Sequence, residues 1–379
     1  MLILIHSSVV DKGDENTWDQ DTVLALENLA TARREGKHIV MANRKTLNKI
    51  AQCSRLSEFS RNIYHKLYND STQFYSYLAA VTKYIEIVNP CYEPEVLSDS
   101  DKEIIKVPPR FFNDSELVQK TILLGENLDD AFFYETIAKV YLKWKRINAQ
   151  INAQIECDPR GGGGNTISRE YINIQKLNKR FCLCIVDSDK IAPDGNLGST
   201  ASRLRNTEDP TCIKTQSFIL DCRESENLIP NSILSKLYSG EPEKLEALNI
   251  IEKISKSKSA VDIRYFLDIK KGTRLKEIIQ TSNPNIKSFW EGKLSQNPDI
   301  SSCIDGWCQT NWKCSKSGEC QCKISLGFGE STLSNTVDYL KQESPHEIAR
   351  IVDPSKHSDW EQIGQLVMDW CIAERSIRA

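Results

Sequence analysis

The sequence predicts an α/β protein with a parallel sheet that helices cover on both faces. Four short and almost wholly apolar runs, KTILLGE, INAQIEC, FCLCIVD and SFILDC, are typical of buried strands. Segments with apolar residues at helical spacing, such as DDAFFYETIAKVYLKW and SREYINIQKLNKR, separate them. Continuous apolar strands that alternate with helices indicate a parallel sheet buried between two helical layers.

Composition excludes several classes of protein. The chain has 379 residues, of which 40% are hydrophobic and 27% charged, so it is neither disordered nor fibrous. No apolar run approaches the roughly 18–20 residues of a membrane span. The net charge of −3 means that any contact with nucleic acid must come from a local patch. The first residues lack the basic and cleavage regions of a signal peptide, so we expect a cytoplasmic protein whose thirteen cysteines are mostly reduced.

The chain divides into four segments. Residues 1–90 predict a small α/β accessory domain, and residues 91–116, with three prolines among polar residues, predict a linker. Residues 117–235 hold the apolar runs and predict the catalytic domain. Residues 236–379 predict a mostly helical region that is basic in part and contains a cysteine cluster.

Acidic residues follow three of the predicted strands. Glu126 ends the first run, Asp187 and Asp189 end the third, and Glu224 and Glu226 follow the fourth. The carboxyl ends of parallel strands form the ligand-binding edge of such a sheet. Carboxylates gathered there repel one another unless a cation neutralises them, and oxygen ligands suit Mg²⁺ or Mn²⁺. One or two such ions are therefore expected, although an isolated DxD is more often a solvated turn.

These motifs resemble those of the Toprim domain, the fold shared by topoisomerases, bacterial primases and OLD-type nucleases. LLGENLDDAFFYETIA resembles its opening motif, Gly161–Gly164 its glycine turn, and Asp187-Ser188-Asp189 its DxD motif. RESENLIP is similar to the third acidic motif of OLD-like bacterial defence proteins. The resemblance covers about 115 of the 379 residues. Asn127 replaces a glycine that primase- and topoisomerase-like members keep, which favours the nuclease branch.

The resemblance also implies roles for individual residues. Glu126 would be the general acid/base or a metal ligand, and Asp187 and Asp189 would be metal ligands. Glu224 and Glu226 would complete a second metal position. A lysine approaches the metal site in related proteins; Lys270 and Lys271 are the candidates, and we assign Lys271 the catalytic role.

Basic and glycine residues are candidates for contact with phosphates. The stretch from Lys253 to Lys276 has a local charge of +6, and a second basic stretch follows the Glu126 helix. A run of basic residues is as often a solvated face as a binding surface. The glycine run is a flexible loop, a phosphate-binding turn or a place where a helix packs closely. The predicted nucleic-acid contacts are Gly162, Gly163, Lys143, Arg146, Lys256, Lys258, Arg264, Lys270 and Arg274.

Five cysteines lie between Cys303 and Cys322. Their spacing lacks the paired CxxC knuckles of a typical zinc site, so free thiols are the simpler interpretation. A structural Zn²⁺ bound by Cys308, Cys314, Cys320 and Cys322 is the alternative.

The function that we expect is a metal-dependent Toprim endonuclease acting on DNA or RNA, including transfer RNA. The resemblance implies the toxic effector of a bacterial anti-phage or abortive-infection system. Because the chain has no Walker motif, control by a separate ATPase or reverse transcriptase is expected, and a homo-oligomer is open. The alternatives are a primase- or topoisomerase-type Toprim enzyme and a non-catalytic subunit that binds nucleic acid or a partner protein.

Overall fold

A computed structural model describes most of the chain. The described residues are 1–11, 18–89, 92–147, 151–209, 211–255, 262–275, 278, 281–294 and 324–377. The structure is a mixed α/β fold with two parallel-type sheets flanked by helices, as the sequence predicts. Within the described residues, no helix combines the length and the apolar character needed to cross a bilayer.

The first sheet has the strand order β2-β1-β3-β5-β4. Its strands are β1 (Leu2–Ile5), β2 (Ile39–Ala42), β3 (Lys83–Ile87), β4 (Glu95–Asp99) and β5 (Lys102–Val107), and only β4 is antiparallel to its neighbour. The helices of this region are α1 (Gln20–Arg34), α2 (Arg44–Gln52), α3 (Glu58–Asp70) and α4 (Phe74–Ala80).

Two strands lie within the segment that the sequence predicts as a linker. β4 and β5 form a hairpin at the edge of the first sheet. The prolines do not prevent this, because Pro94 precedes β4 and Pro108 follows β5, so neither removes a donor from the ladder. The linker interpretation of residues 91–116 is therefore corrected for this hairpin.

The second sheet is wholly parallel, with the order β10-β9-β6-β8. Its strands are β6 (Thr121–Gly125), β8 (Cys157–Gly161), β9 (Cys182–Val186) and β10 (Thr215–Ile219), and α5 (Leu128–Trp144), α6 (Ile167–Leu177) and α7 (Ser199–Thr207) connect them. Alternate residues of β6 and β9 face opposite layers: Leu123 joins the main core, while Leu124 packs with α6 and α7. This two-sided burial explains the continuous apolar runs.

The strand that follows β6 in the second sheet is formed by residues later in the chain than the predicted run INAQIEC. Part of INAQIEC forms β7 (Ala153–Ile155), which pairs antiparallel with β11 (Ile372–Glu374) outside the sheet. The polar segment CDPRG forms β8 instead. Pro159 is tolerated because β8 is an edge strand.

Carboxyl-terminal helices follow the second sheet in the chain, and the last of them contacts strands of both sheets. They are α8 (Asn231–Leu237), α9 (Pro242–Ser255), α10 (Pro284–Leu294), α11 (Thr332–Gln342), α12 (Pro345–Val352) and α13 (Ser358–Cys371). At the end of α13, Asp369 accepts hydrogen bonds from the backbone and hydroxyl of Thr82 at 2.9 and 2.6 Å, beside β3. Next to it, the Trp370 indole donates to Gln216 of β10 at 3.0 Å. Helix α13 therefore joins both sheets.

We expect Gly364→Ala to destabilise the fold. A Cβ atom at Gly364 of α13 would lie 2.5 Å from the Cβ of Tyr141 in α5. Alanine favours a helix over glycine, but overpacking typically costs about 1–3 kcal/mol, so the free energy of unfolding should fall. Urea unfolding of the variant measures this.

Gly240→Ala is the matched control, because a Cβ atom there meets nothing within 4 Å. It should leave the unfolding midpoint almost unchanged. A Gly364→Ala protein as stable as the wild type would contradict the close packing of α5 and α13.

Candidate active site

The carboxyl edge of the second sheet brings the predicted carboxylates together. Glu126 follows β6, Asp187 and Asp189 follow β9, and Glu224 and Glu226 lie in the turn after β10. Because all four strands are parallel, these three segments meet at one edge. Besides burial, the charges of Asp130, Glu126 and Glu226 raise the pKa of Asp187, so these carboxylates lie close enough to interact.

Asp187 is fixed by hydrogen bonds from the turn after β10. Its side chain is 9% exposed, and its Oδ1 accepts from the Ser225 backbone N–H and hydroxyl, both at 2.9 Å. The Ser225 hydroxyl also lies 2.7 Å from the buried Tyr134 hydroxyl on α5. Asp187 is therefore held rigidly, and its second oxygen can point toward the other carboxylates.

Asp189 adopts a backbone conformation that is uncommon for a residue other than glycine. Its φ angle is +56°, and its N–H donates to the carbonyl of Arg223 at 2.8 Å. Its side chain packs directly over Gly198, where a Cβ atom would lie only 2.0 Å from Asp189 Oδ2. Gly198 therefore leaves the space that this carboxylate occupies.

The glycine turn positions the backbone at Glu126. Gly162 N–H donates to Gly125 O at 2.8 Å, and Gly164 N–H donates to Glu126 O at 2.9 Å. A Cβ atom at Gly162 would lie 2.4 Å from the Ile167 side chain of α6. Of the three interpretations of this run, the structure supports the close helix contact at Gly162. The Gly162 N–H already has a partner within the protein, and its predicted phosphate contact stays a prediction.

Asp130 is a buried carboxylate of the site that the sequence reasoning did not single out. It is 4% exposed in the first turn of α5, and it accepts a hydrogen bond from Asn127 N–H at 2.7 Å. The Asn-x-x-Asp spacing at the start of a predicted helix is a capping signal that could have identified it. This signal predicts a helix cap, however, and not a position beside Glu126.

Lys270 is the cation of the site. Its ammonium lies 3.3 Å from Glu224 Oε2 and 3.3 Å from Glu226 Oε2. Glu224 also accepts a hydrogen bond from Ile269 N–H at 2.7 Å. The Lys271 ammonium instead pairs with exposed Glu330 at 3.6 Å, and the catalytic role of Lys271 stays a prediction. The second predicted metal position, at Glu224 and Glu226, holds a lysine ammonium.

Burial and mutual repulsion raise the pKa values of the carboxylates. Burial first, then the charges of Asp130 and Asp189, raise the pKa of Glu126 to about 7. Burial, followed by the charge of Glu224, raises the pKa of Glu226 to about 7. The pKa of Asp187 is raised well above its ordinary value, mainly by burial.

The pKa of Lys270 responds to the same charges. Burial alone would lower it, but the charges of Glu224 and Glu226 outweigh that effect, and the net shift is upward. Lys270 therefore stays protonated and neutralises these two glutamates, while Glu126 and the aspartates have no lysine or arginine bound to them in the described part of the chain.

Lys270 lies at this edge, but the other predicted basic contacts do not gather there. Lys143 and Arg146 lie at the end of α5 that points away from Asn127, at which α5 begins. Arg264 is 7% exposed and donates to the Ile229 carbonyl, and its predicted phosphate contact stays a prediction. Arg274 is exposed. Several predicted phosphate contacts and zinc ligands lie outside the described residues: Lys256, Lys258, Cys308, Cys314, Cys320 and Cys322.

The donor set suits a divalent cation in its chemistry. Glu126 Oε1 is buried without a hydrogen-bond partner, and the neighbouring ligands are all carboxylate oxygens. In the described residues, no three His, Cys, Asp or Glu side chains converge closely enough to hold an ion. Glu126, Asp187 and Asp189 would therefore have to rotate toward one another to share one.

Comparison with known proteins adds no assignment. No family model matches the chain, and neither a curated protein nor a solved structure shows significant similarity to it.

We expect Lys270→Met to destabilise the protein far more than Lys271→Met. Removing Lys270 leaves two buried glutamates without their cation, and breaking a buried pair costs about 3–5 kcal/mol. The exposed Lys271 pair contributes at most about 1 kcal/mol. Urea unfolding of both variants at pH 8 gives the comparison. The Lys270→Met defect should shrink at pH 5, where the glutamates bind protons; equal losses for the two variants would contradict the assignment.

We expect Glu126→Gln to stabilise the protein at pH 8. Because the folded-state pKa of Glu126 is raised to about 7, its contribution to stability is complete below about pH 4.5 and is lost as the pH rises toward 7. A neutral glutamine does not suffer this loss, so the variant should gain about 1–3 kcal/mol at pH 8 and nothing near pH 4.5. Thermal unfolding in EDTA across this range tests it. Glu246→Gln, on the exposed face of α9, is the control and should show no such pH-dependent gain.

Proposed function

We propose that the chain is a metal-dependent nuclease of the Toprim type that hydrolyses phosphodiester bonds of DNA or RNA. The observation that supports this best is the gathering of Glu126, Asp187 and Asp189, with Asp130, at the carboxyl edge of a parallel sheet, in an environment that raises the pKa of Glu126 to about 7. Carboxylates whose pKa values are raised by burial and by neighbouring charges cluster at functional sites.

Each residue then has a role. Glu126, Asp187 and Asp189 would hold Mg²⁺ or Mn²⁺, which supplies charge neutralisation of the phosphodiester and an activated water. A Glu126 carboxyl with a pKa of about 7 can accept or release a proton at neutral pH, as a general acid/base must. Ser225 orients Asp187. Lys270 pairs with Glu224 and Glu226 and holds them in place.

The cellular setting belongs to the same proposal. We infer a cytoplasmic toxic effector of a bacterial defence system, held inactive until a partner ATPase or reverse transcriptase releases it. The support is the resemblance of the acidic motifs to those of OLD-like proteins, together with the missing Walker motif. Toxicity on expression in cells would support this setting, and a chain that is fully active and harmless would contradict it.

The test is cleavage of plasmid, linear DNA and total RNA with Mg²⁺ or Mn²⁺, with and without EDTA. We expect wild-type cleavage to fall to background in Asp187→Asn and in EDTA, because each removes the charge complementarity of the site. Asp194→Asn is the matched control, since Asp194 is exposed in the loop after Asp189 and should cleave like the wild type.

Each negative outcome has a definite meaning. Cleavage that persists in Asp187→Asn would overturn the assigned site. If the wild type cuts nothing, expression in cells decides: toxicity that disappears with Asp187→Asn supports an effector that a partner restrains. Absence of toxicity, together with no binding in a metal titration, supports the non-catalytic alternative.

A further inference from the structure

Two cavities adjoin at the carboxyl-terminal end of α5. One has a volume of about 430 Å³ and the other about 340 Å³, and both are lined by Asn152 and Arg375, so they form one groove. The α5 helix, the β7–β11 ladder and α3 contribute to its walls. We call it the α5-end groove. None of the carboxylates of the candidate active site lines it.

Three exposed cations of the groove have no bound counter-charge. Lys66, Lys143 and Arg375 line it, and within the described residues their side chains make no hydrogen bond or ion pair. They come from three distant parts of the chain. Lys143 belongs to the second basic stretch of the sequence, and the fold brings Lys66 and Arg375 to it.

The acidic residues of the groove are mostly neutralised. Glu135 pairs with Lys139 at 2.9 Å, Glu156 with Lys120, and Glu374 with Arg33. Asp70 is the remaining carboxylate of the lining. Free positive charge therefore exceeds free negative charge in the groove, although the whole chain has a net charge of −3.

The other polar residues of the groove are the types that contact phosphate and sugar. Amide and hydroxyl side chains, with lysine and arginine, make most contacts to nucleic-acid backbones. The lining contains Asn69, Thr72, Asn152, Gln154 and Ser376. An apolar ligand finds little surface here, whereas a phosphodiester backbone finds both donors and positive charge.

We propose that the α5-end groove is a second docking site for nucleic acid, separate from the acidic cluster. The two sites lie at opposite ends of α5. Thirteen residues separate Asp130 from Lys143, which is about 20 Å along a helix. This is the axial length of about six base pairs. A substrate must be longer than that to occupy both sites, so the groove selects long or folded nucleic acids over short fragments. The selection of long substrates rests on the proposed function, whereas docking of nucleic acid in the groove does not require cleavage.

The experiment measures binding of the full chain to a duplex of about 20 base pairs and to an RNA hairpin of similar length, in EDTA, over a range of salt concentrations. The variant is the triple change Lys66→Gln, Lys143→Gln and Arg375→Gln, and all three side chains are exposed, so folding should be preserved. The control triple is Lys176→Gln, Arg205→Gln and Lys236→Gln, which removes the same charge from exposed positions elsewhere.

We expect the groove variant to bind at least about tenfold more weakly at low salt, with a salt slope smaller by about 2–3, since each lost phosphate contact lowers the slope by nearly one. The control triple should keep a slope close to that of the wild type. A larger effect on the duplex or on the hairpin identifies which polymer docks there.

Equal affinities and equal salt slopes for the two triple variants would overturn the proposed docking site. Absence of nucleic-acid binding by the wild type would overturn it too. A groove variant that loses binding, in a protein that cleaves nothing, would support the docking site and count against the nuclease. Cleavage by the wild type, together with unchanged nucleic-acid binding by the groove variant, would support the nuclease and count against the docking site. The two proposals therefore fail separately.

Discussion

The pairing of Lys270 with Glu224 and Glu226 is the interaction on which the candidate site depends. Ionised carboxylates are costly to bury, and the cost exceeds any Coulombic gain unless a cation and hydrogen bonds are supplied. Lys270 supplies both to the turn after β10: its ammonium contacts the two glutamates, and the adjacent Ile269 N–H donates to Glu224. Because that turn also carries Ser225, which holds Asp187, the position of the aspartate depends indirectly on the same lysine.

The remaining carboxylates are arranged by the backbone. Glu126 and Asp189 are placed through main-chain hydrogen bonds to the glycine turn and to Arg223, and Gly198 leaves the space for the Asp189 side chain. Burial, and then the charges of Asp130 and Asp189, raise the pKa of Glu126, and the charge of Lys270 offsets this only in part. An arrangement of this kind costs stability, and proteins commonly accept such a cost at functional sites.

The sequence predicts the parallel sheet and its acidic edge because both follow from local patterns. β6 and β9 are apolar runs that carboxylates follow within three residues, and β10 overlaps the predicted run SFILDC. β8 could not be predicted in this way, since CDPRG is polar and forms a strand only because it lies at an open edge. The sequence also does not distinguish Lys270 from Lys271. Adjacent residues of an extended or turn segment point in different directions, and no local pattern shows which one faces a glutamate 46 positions earlier. Arg264 looks exposed in a basic run, yet packing buries it.

The separation of positive and negative charge along α5 has a physical rationale for an enzyme that acts on a polyanion. A phosphodiester that approaches Glu126, Asp187 and Asp189 meets like charge, so the site where the bond would be cut contributes little to affinity. Affinity must then come from cations elsewhere, far enough from the carboxylates to avoid being neutralised by them. Lys270 is a cation that lies close to the carboxylates, and its charge is paired with Glu224 and Glu226. Lys66, Lys143 and Arg375 lie farther from the carboxylates, at the carboxyl-terminal end of α5. The length of α5 separates the positive charges from the negative ones.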